Sequence, residues 1–254
     1  MTDLRGKTAL VTGGSKRIGR EICLRLAAEG IHVAFSFRRS TGEAEATRHD
    51  IETRGVRALA VQADLTSRED CDALARAAGA LAGSVDILVH NASEFPRTPL
   101  EDLERDPARF EETFRSLAGV HMQAPLWLGL RLGLEMKRRG WGRIVNILDR
   151  VVVRDQAYRG WSIYLATKYG LHGITLALAA ELAPEVAVNG IAPGLVVPPP
   201  ELPPEEVQSI LGKIPLSRAV PAAEIAEDVV HLLRSEGKTG SVILSDGGGG
   251  LRAS

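Results

Sequence analysis

The sequence predicts an α/β fold, a doubly wound parallel sheet of about seven strands with helices on both faces. Two observations carry that expectation. Short apolar runs, bounded by Gly, Asp or Ser, alternate along the chain with longer segments of helical apolar spacing. The 254 residues show no repeat and no change of composition regime, so one domain spanning residues 1–254 is expected.

The elements follow in order. Residues 8–12 read as the first strand, and a glycine turn leads into a helix from about 17 to 29. The second strand covers 32–36, and a polar helix covers 42–54. Residues 57–62 form a third strand ending near Asp64, and 67–81 an Ala-rich helix. The fourth strand, 86–90, runs into a Pro-containing loop reaching Pro107, and a long helix is expected over 108–138. The turn at 140–142 opens onto the fifth strand, 144–148, and residues 164–178 have helical apolar spacing. A sixth strand covers 187–192. Six of the thirteen prolines then fall in 193–204, too many for a regular element. Residues 193–213 therefore read as a substrate loop with a short helix, before the last helix at 222–234 and the last strand at 241–244.

Composition excludes several functions. A net charge of -1 and a pI near 6.6 give no electrostatic case for nucleic acid or an anionic membrane. Cys23 and Cys71 both lie in helical patterns, which argues against a disulfide framework and for a reducing compartment. The first six residues have no apolar signal region and no apolar run reaches spanning length, so a cytoplasmic location is expected. The six histidines show no metal-ligand spacing.

The first strand is followed by Thr12-Gly13-Gly14-Ser15-Lys16-Arg17-Ile18-Gly19. A strict Gly-x-Gly-x-x-Gly is absent, but strand, glycine turn and helix stand in the order of a pyrophosphate site. Gly13 suits the sharp turn and Gly19 close helix–strand packing. At the end of the second strand, a site for NAD needs an Asp or Glu for the ribose hydroxyls. This chain has Arg38, Arg39 and Ser40 instead, with Lys16 and Arg17 nearby. These cations suit a 2′-phosphate, which favours NADPH over NADH; a solvated basic loop is the other reading. Asp64-Leu65 suits the adenine edge, or Asp64 caps the following helix. Asn91-Ala92 closes the fourth strand beside the expected crevice. Further on, Asp149 stands at the end of the fifth strand, and Tyr164 and Lys168 share one helix face, one turn apart.

With Thr12 to Gly19, Asn91-Ala92, Tyr164-x-x-x-Lys168 and Pro193-Gly194 in order, the chain resembles the short-chain dehydrogenase/reductase family over nearly its whole length. Within it, the chain is most similar to the pteridine and dihydromonapterin reductases. The supporting residues are Lys16-Arg17, Arg38-Arg39-Ser40, Asn91-Ala92-Ser93-x-Phe95, Thr98-Pro99-Leu100, Asp149 and Ile214-Pro215-Leu216. The resemblance implies a single-domain Rossmann fold and NADP(H) held by the glycine turn, by Asn91-Ala92 and by Pro193-Gly194. It makes Tyr164 the proton donor, lets Lys168 hold the nicotinamide ribose, and stacks Phe95 on a flat heterocycle against the nicotinamide. A homotetramer built on the long central helix and the Tyr164 helix is implied as well. Two departures stand out. His121 replaces the Asn usual before Ala124-Pro125, and the interval from Asp149 to Tyr164 is about two residues longer than usual.

Tyr164 as a proton donor is expected to have its phenol brought down from about 10 by about 3 units, or roughly 4 kcal/mol, by Lys168 and the oxidised nicotinamide. Most of the wider family has Ser where Asp149 stands. An ionised carboxylate about 4 Å from a developing alkoxide opposes it by about 4 kcal/mol at an effective dielectric near 20. Asp149 therefore fits either a protonated carboxyl or a substrate presenting N–H groups, unless it pairs with Arg150 or Arg154 and faces solvent. Trp161 and Tyr158 are further candidates for the pocket wall. The expected function is NADPH-dependent hydride transfer to a C=N bond of a pterin, dihydropterin or folate-like substrate. A general carbonyl or 3-oxoacyl-thioester reductase and a non-catalytic NADP(H)-binding sensor are the alternatives.

Overall fold

A computed structural model describes residues 2–154, 157–198 and 203–251. Seven parallel strands form one sheet in the order β3-β2-β1-β4-β5-β6-β7. They are β1 (Thr8–Val11), β2 (His32–Phe37), β3 (Ala58–Gln62), β4 (Ile87–His90), β5 (Gly142–Ile147), β6 (Val186–Pro193) and β7 (Val242–Ser245). Chain order reverses between β1 and β4, which opens a crevice at the carboxyl ends of the strands there.

Alternation along β1 sends its side chains to two cores. Ala9 and Val11 face α1 (Arg17–Ala28) and α10 (Ala222–Arg234), against Ile22, Leu26, Val229 and Leu233. Leu10 faces the opposite layer of α3 (Arg68–Ala82), α6 (Ala124–Arg138) and α8 (Ser162–Leu182), against Leu74, Leu128 and Leu178. α2 (Thr41–Glu52) lies beside β3 and buries Ala44, Thr47 and Ile51. α9 (Pro204–Leu211) buries none of its residues.

The long helix expected over 108–138 is interrupted. α5 (Pro107–Ala118) passes through a π-helical turn, Gly119–Gln123, into α6. Pro125 has no N–H to offer the carbonyl of His121, and the amide of Ala124 reaches back five residues to Gly119 O. Two short helices were not expected: α4 (Leu100–Arg105), inside the Pro-containing loop, and α7 (Val151–Arg154). The Asp149 carboxylate starts α7 by accepting the Val151 amide at 3.1 Å. The proline-rich stretch 193–204 divides: Pro193 ends β6, Pro204 begins α9, and 199–202 lie outside the described residues.

Candidate active site

The crevice is lined first by the glycine turn after β1. Gly13 has φ +67, and a Cβ there would lie 3.0 Å from Ala92 Cα. A Cβ on Gly19 would lie 2.1 Å from Gly13 O and 2.5 Å from Asn91 Nδ2. Asn91 bonds this turn together, its Nδ2 donating to Thr12 O and Gly13 O, each at 3.0 Å. Thr12 Oγ1 accepts from the amides of Asn91 and Ala92. α1 then starts at Lys16 with no side-chain cap and no acidic residue in its first turn. An open helix N-terminus flanked by Lys16 and Arg17 is electrostatically suited to a pyrophosphate, so these residues fit a dinucleotide. Ser15 is buried, its carbonyl accepting Thr47 Oγ1 at 3.0 Å, and Ile18 packs against the core.

The cations after β2 take separate partners. Arg38 pairs with Glu94 across the crevice, and Glu94 is also held by Ser116 Oγ at 3.1 Å. Arg17, at φ +54, reaches Val197 O at 2.5 Å. Lys16 and Arg39 make no ion pair among the described residues. Arg38 and Arg39 share a cleft with Gln62, Asp64 and Asp70, and Ser40 precedes α2 without capping it. Asp64 does not cap α3. Ser67 does, by accepting the Asp70 amide at 3.2 Å, while Asp64 Oδ1 takes the amide and hydroxyl of Thr66. Thr66's amide, its hydroxyl and the nearby Arg38 and Arg39 together hold the Asp64 carboxyl below its usual range. Leu65 is buried in the core between sheet and α3. Pro193 ends β6 with its carbonyl accepting Arg150 N at 3.1 Å, and Gly194 packs against Asp246.

The second group converges at the ends of β5 and α8. Tyr164, 5% exposed, donates its hydroxyl to Asp149 Oδ2 at 2.8 Å. Asp149 is therefore not a solvent-facing partner of its arginines: Arg154 pairs with Asp246, and Arg150 donates Nε to Tyr158 OH. The long interval to Tyr164 is taken up by α7 and the following loop, with 155–156 outside the described residues. Lys168 is buried and donates Nζ to Ile147 O at 2.9 Å. Burial lowers the lysine to about 8, against the pull of Asp149.

In the protein alone, the acidity of Tyr164 runs opposite to the direction expected from Lys168 and the oxidised nicotinamide together. Burial, then the Asp149 carboxylate, raise the phenol well above its ordinary value. The cause is geometric. The carboxylate touches the hydroxyl, whereas Lys168 Nζ lies 5.7 Å from the ring centre and spends a hydrogen bond on a backbone carbonyl.

Aromatic rings wall this corner. Phe95 stacks on Trp161 with centroids 5.1 Å apart and meets the Tyr164 ring edge-on at 4.6 Å. His121, fully buried in the π turn, stands edge-on to the Tyr164 ring with centroids 5.6 Å apart. Its Nδ1 contacts Thr167 Oγ1 and its Nε2 contacts Ser93 Oγ, each at 2.8 Å. Thr167 already gives its proton to Tyr164 O, so His121 Nδ1–H must be the donor to Thr167 and Nε2 the acceptor from Ser93. Burial, with a smaller repulsion from Lys168, lowers this histidine to about 2 and keeps it neutral.

Sequence reasoning did not assign roles to Ser93, Glu94 or Arg150. Ser93 and Glu94 lie inside the motif that contains Asn91 and Phe95, the one signal that pointed to them. In the sequence, Arg150 stands out only as an ion partner for its neighbour Asp149.

Comparison with known proteins bears on the same geometry. The short chain dehydrogenase family profile matches residues 7–201. The chain is 32% identical to 3-oxoacyl-(acyl-carrier-protein) reductase FabG of Staphylococcus aureus (strain Mu50 / ATCC 700699), over 95% of this chain and 97% of that protein. It is 32% identical to pteridine reductase 1 of Leishmania tarentolae, over 94% of this chain and 95% of that one. Its fold is similar to FolM alternative dihydrofolate reductase 1 from Brucella canis complexed with NADP, with TM-score 0.89 and 32% identity, covering 99% and 97% of the two chains. The matched residues run from β1 through β6 and include the glycine turn, Tyr164 and Lys168; the chain belongs to the short chain dehydrogenase family, and it is an oxidoreductase.

Proposed function

We propose that this oxidoreductase uses NADPH to reduce a C=N bond of a pterin, dihydropterin or folate-like substrate. The observation that carries the reading is the Asp149 carboxylate 2.8 Å from the Tyr164 hydroxyl, beside the Phe95–Trp161 stack. A carboxylate at the proton donor suits a substrate that brings N–H donors, and the flat aromatic wall suits a heterocycle. The likeness to pteridine reductase 1 and to the NADP-complexed FolM protein supports it.

The turn from Gly13 to Gly19 would hold the pyrophosphate, and Arg38, Arg39 and Ser40 the 2′-phosphate. Asp64 and Leu65 would meet the adenine, Asn91 and Ala92 the back of the crevice, and Pro193 and Gly194 the nicotinamide side. When bound, the reduced nicotinamide supplies the hydride. Tyr164 then delivers its hydroxyl proton to the ring nitrogen as the C=N bond becomes C–N. A phenol carries its proton at neutral pH, as a donor must. Lys168 places a positive charge near the phenolate left behind and would hold the nicotinamide ribose. Asp149 orients the substrate through its N–H groups and stacked Phe95 fixes its plane.

The FabG likeness favours a second reading, reduction of a 3-oxoacyl thioester. The protein is mixed with NADPH and dihydrobiopterin, dihydromonapterin or dihydrofolate, with acetoacetyl thioesters and simple ketones in parallel, and nicotinamide absorbance is followed. Turnover of at least one pterin or folate is expected. Turnover confined to thioesters or ketones overturns the first reading in favour of the second.

A further inference from the structure

The Asp149 carboxylate carries more contacts than its meeting with Tyr164 requires. Oδ1 accepts the Tyr158 hydroxyl at 3.0 Å as well as the Val151 amide, so the two oxygens each hold one phenol. Tyr158 is itself fixed. Arg150 Nε donates to its hydroxyl at 2.9 Å, the guanidinium lies 5.3 Å from its ring centre, and the ring stands edge-on to both Phe95 and Trp161. Arg150 is anchored in turn, its Nη1 donating to Gly249 O at 2.6 Å. One turn on, Arg154 binds the buried Asp246 of the same segment. A continuous chain of contacts thus runs from the backbone after β7, through Arg150, Tyr158 and Asp149, to the Tyr164 hydroxyl.

We propose that Tyr158, braced by Arg150, is a positioning residue that fixes the Asp149 carboxylate so that Oδ2 meets Tyr164. A carboxylate held at both oxygens has one orientation. Held at Oδ1 only by a backbone amide, it turns about its Cβ–Cγ bond, and the Oδ2–Tyr164 contact is lost part of the time. Small misplacements of a reacting group are costly in rate. Among the described residues, the groups facing Asp149 are Tyr164 and Lys168 from α8, Tyr158 from the loop before it, and Arg150 beside it. Neutral His121 stands edge-on to the Tyr164 ring, and Arg154 is taken by Asp246.

The inference rests on Asp149 and Tyr164 being the reacting pair, so the test includes a readout that needs no substrate. The chain has three tyrosines, and tyrosine labelled with ¹³C at the ζ carbon gives three resonances. Tyr164→Phe and Tyr169→Phe assign them. In the whole protein, Tyr158→Phe should shift or broaden the Tyr164 resonance and leave that of Tyr169 in place. Arg150→Lys, which keeps Tyr158 and weakens its brace, should move the Tyr164 resonance the same way by a smaller amount. With any substrate the wild-type protein reduces, kcat of Tyr158→Phe should fall about tenfold, with NADPH Kd within about twofold. A Tyr164 resonance unmoved in both variants overturns the proposal and needs no substrate. An unchanged kcat in Tyr158→Phe overturns it too. A Tyr164 resonance that moves in both variants of a protein that reduces no pterin supports the positioning role while removing the proposed substrate.

Discussion

His121 stands where the family resemblance calls for Asn, and its two ring nitrogens bridge Ser93 and Thr167 inside the core. Such a bridge works only with a neutral ring. His90 is buried as well, and burial alone lowers it to about 3, so its ring is neutral too. Both folded values lie below the ordinary 6.5, so the unfolded chain binds more protons and stability falls as pH drops through 6.5. Each histidine contributes about 1.4 kcal/mol per pH unit well below that value. His121→Asn keeps a hydrogen-bonding side chain and removes one of the two. Urea unfolding between about pH 6 and 5 should show roughly half the wild-type loss per unit, and an unchanged slope refutes the account. At this scale the sequence shows Tyr164 and Lys168 on one face, because four residues make a helical turn. It does not show the direction of Tyr164's acidity, which depends on how a fifteen-residue interval folds Asp149 back onto the phenol. Nor does it show that a buried lysine will seek the carbonyl of Ile147.

At the scale of elements, the glycine turn and α1 form one tightly packed unit. Gly19 stands against Gly13 O and Asn91 Nδ2, so an added methyl has no room without moving the turn. Gly19→Ala should destabilise the protein by about 1–3 kcal/mol and weaken NADPH binding at least tenfold. Urea unfolding and a fluorescence titration check these, and wild-type values for both would show that the close approach is dispensable. Elements with two or more turns of clear apolar spacing, α1, α3 and α10, were legible because their buried faces repeat often enough to be read. α4 and α7, of six and four residues, complete too little of a period to show one. The π turn was hidden for another reason. Pro125 lies in a segment of unbroken helical spacing, and the fold absorbs its missing N–H by widening one turn, so no break in the pattern marks it.

Across the whole molecule, α6 is apolar on two sides. Leu128, Leu132 and Met136 are buried in the core, whereas Leu126, Leu130 and Leu134 form an outward stripe, each more than 40% exposed. Phe110 and Phe114 on α5 and Leu176 on α8 are similarly exposed. A helix apolar on both faces is suited to packing between two cores or two chains, and the resemblance implies four copies. Sedimentation should give a tetramer for the wild type and smaller species for Leu130→Glu; a wild-type monomer refutes the assembly. The parallel sheet was legible from the alternation of strands and helices, but its strand order and the contacts between distant loops were not. Arg38 and Glu94 are 56 positions apart, yet they meet because β1 lies between β2 and β4, and the pair spans the glycine turn. With Arg38 proposed to hold the 2′-phosphate, the consequence is an exchange of partners. A cofactor carrying that phosphate would compete with Glu94 for the guanidinium, whereas one with a bare hydroxyl would leave the ion pair intact. Half-exposed pairs of this kind are worth about 0.2–1 kcal/mol, so Glu94→Gln should tighten NADPH by up to about fivefold and leave NADH nearly unchanged by isothermal calorimetry. Equal gains for both would mean that Glu94 repels the dinucleotide as a whole. On the proposed assignment, the carboxylate would act as a resident rival to the phosphate, lowering the affinity for the very cofactor that the arginine would select.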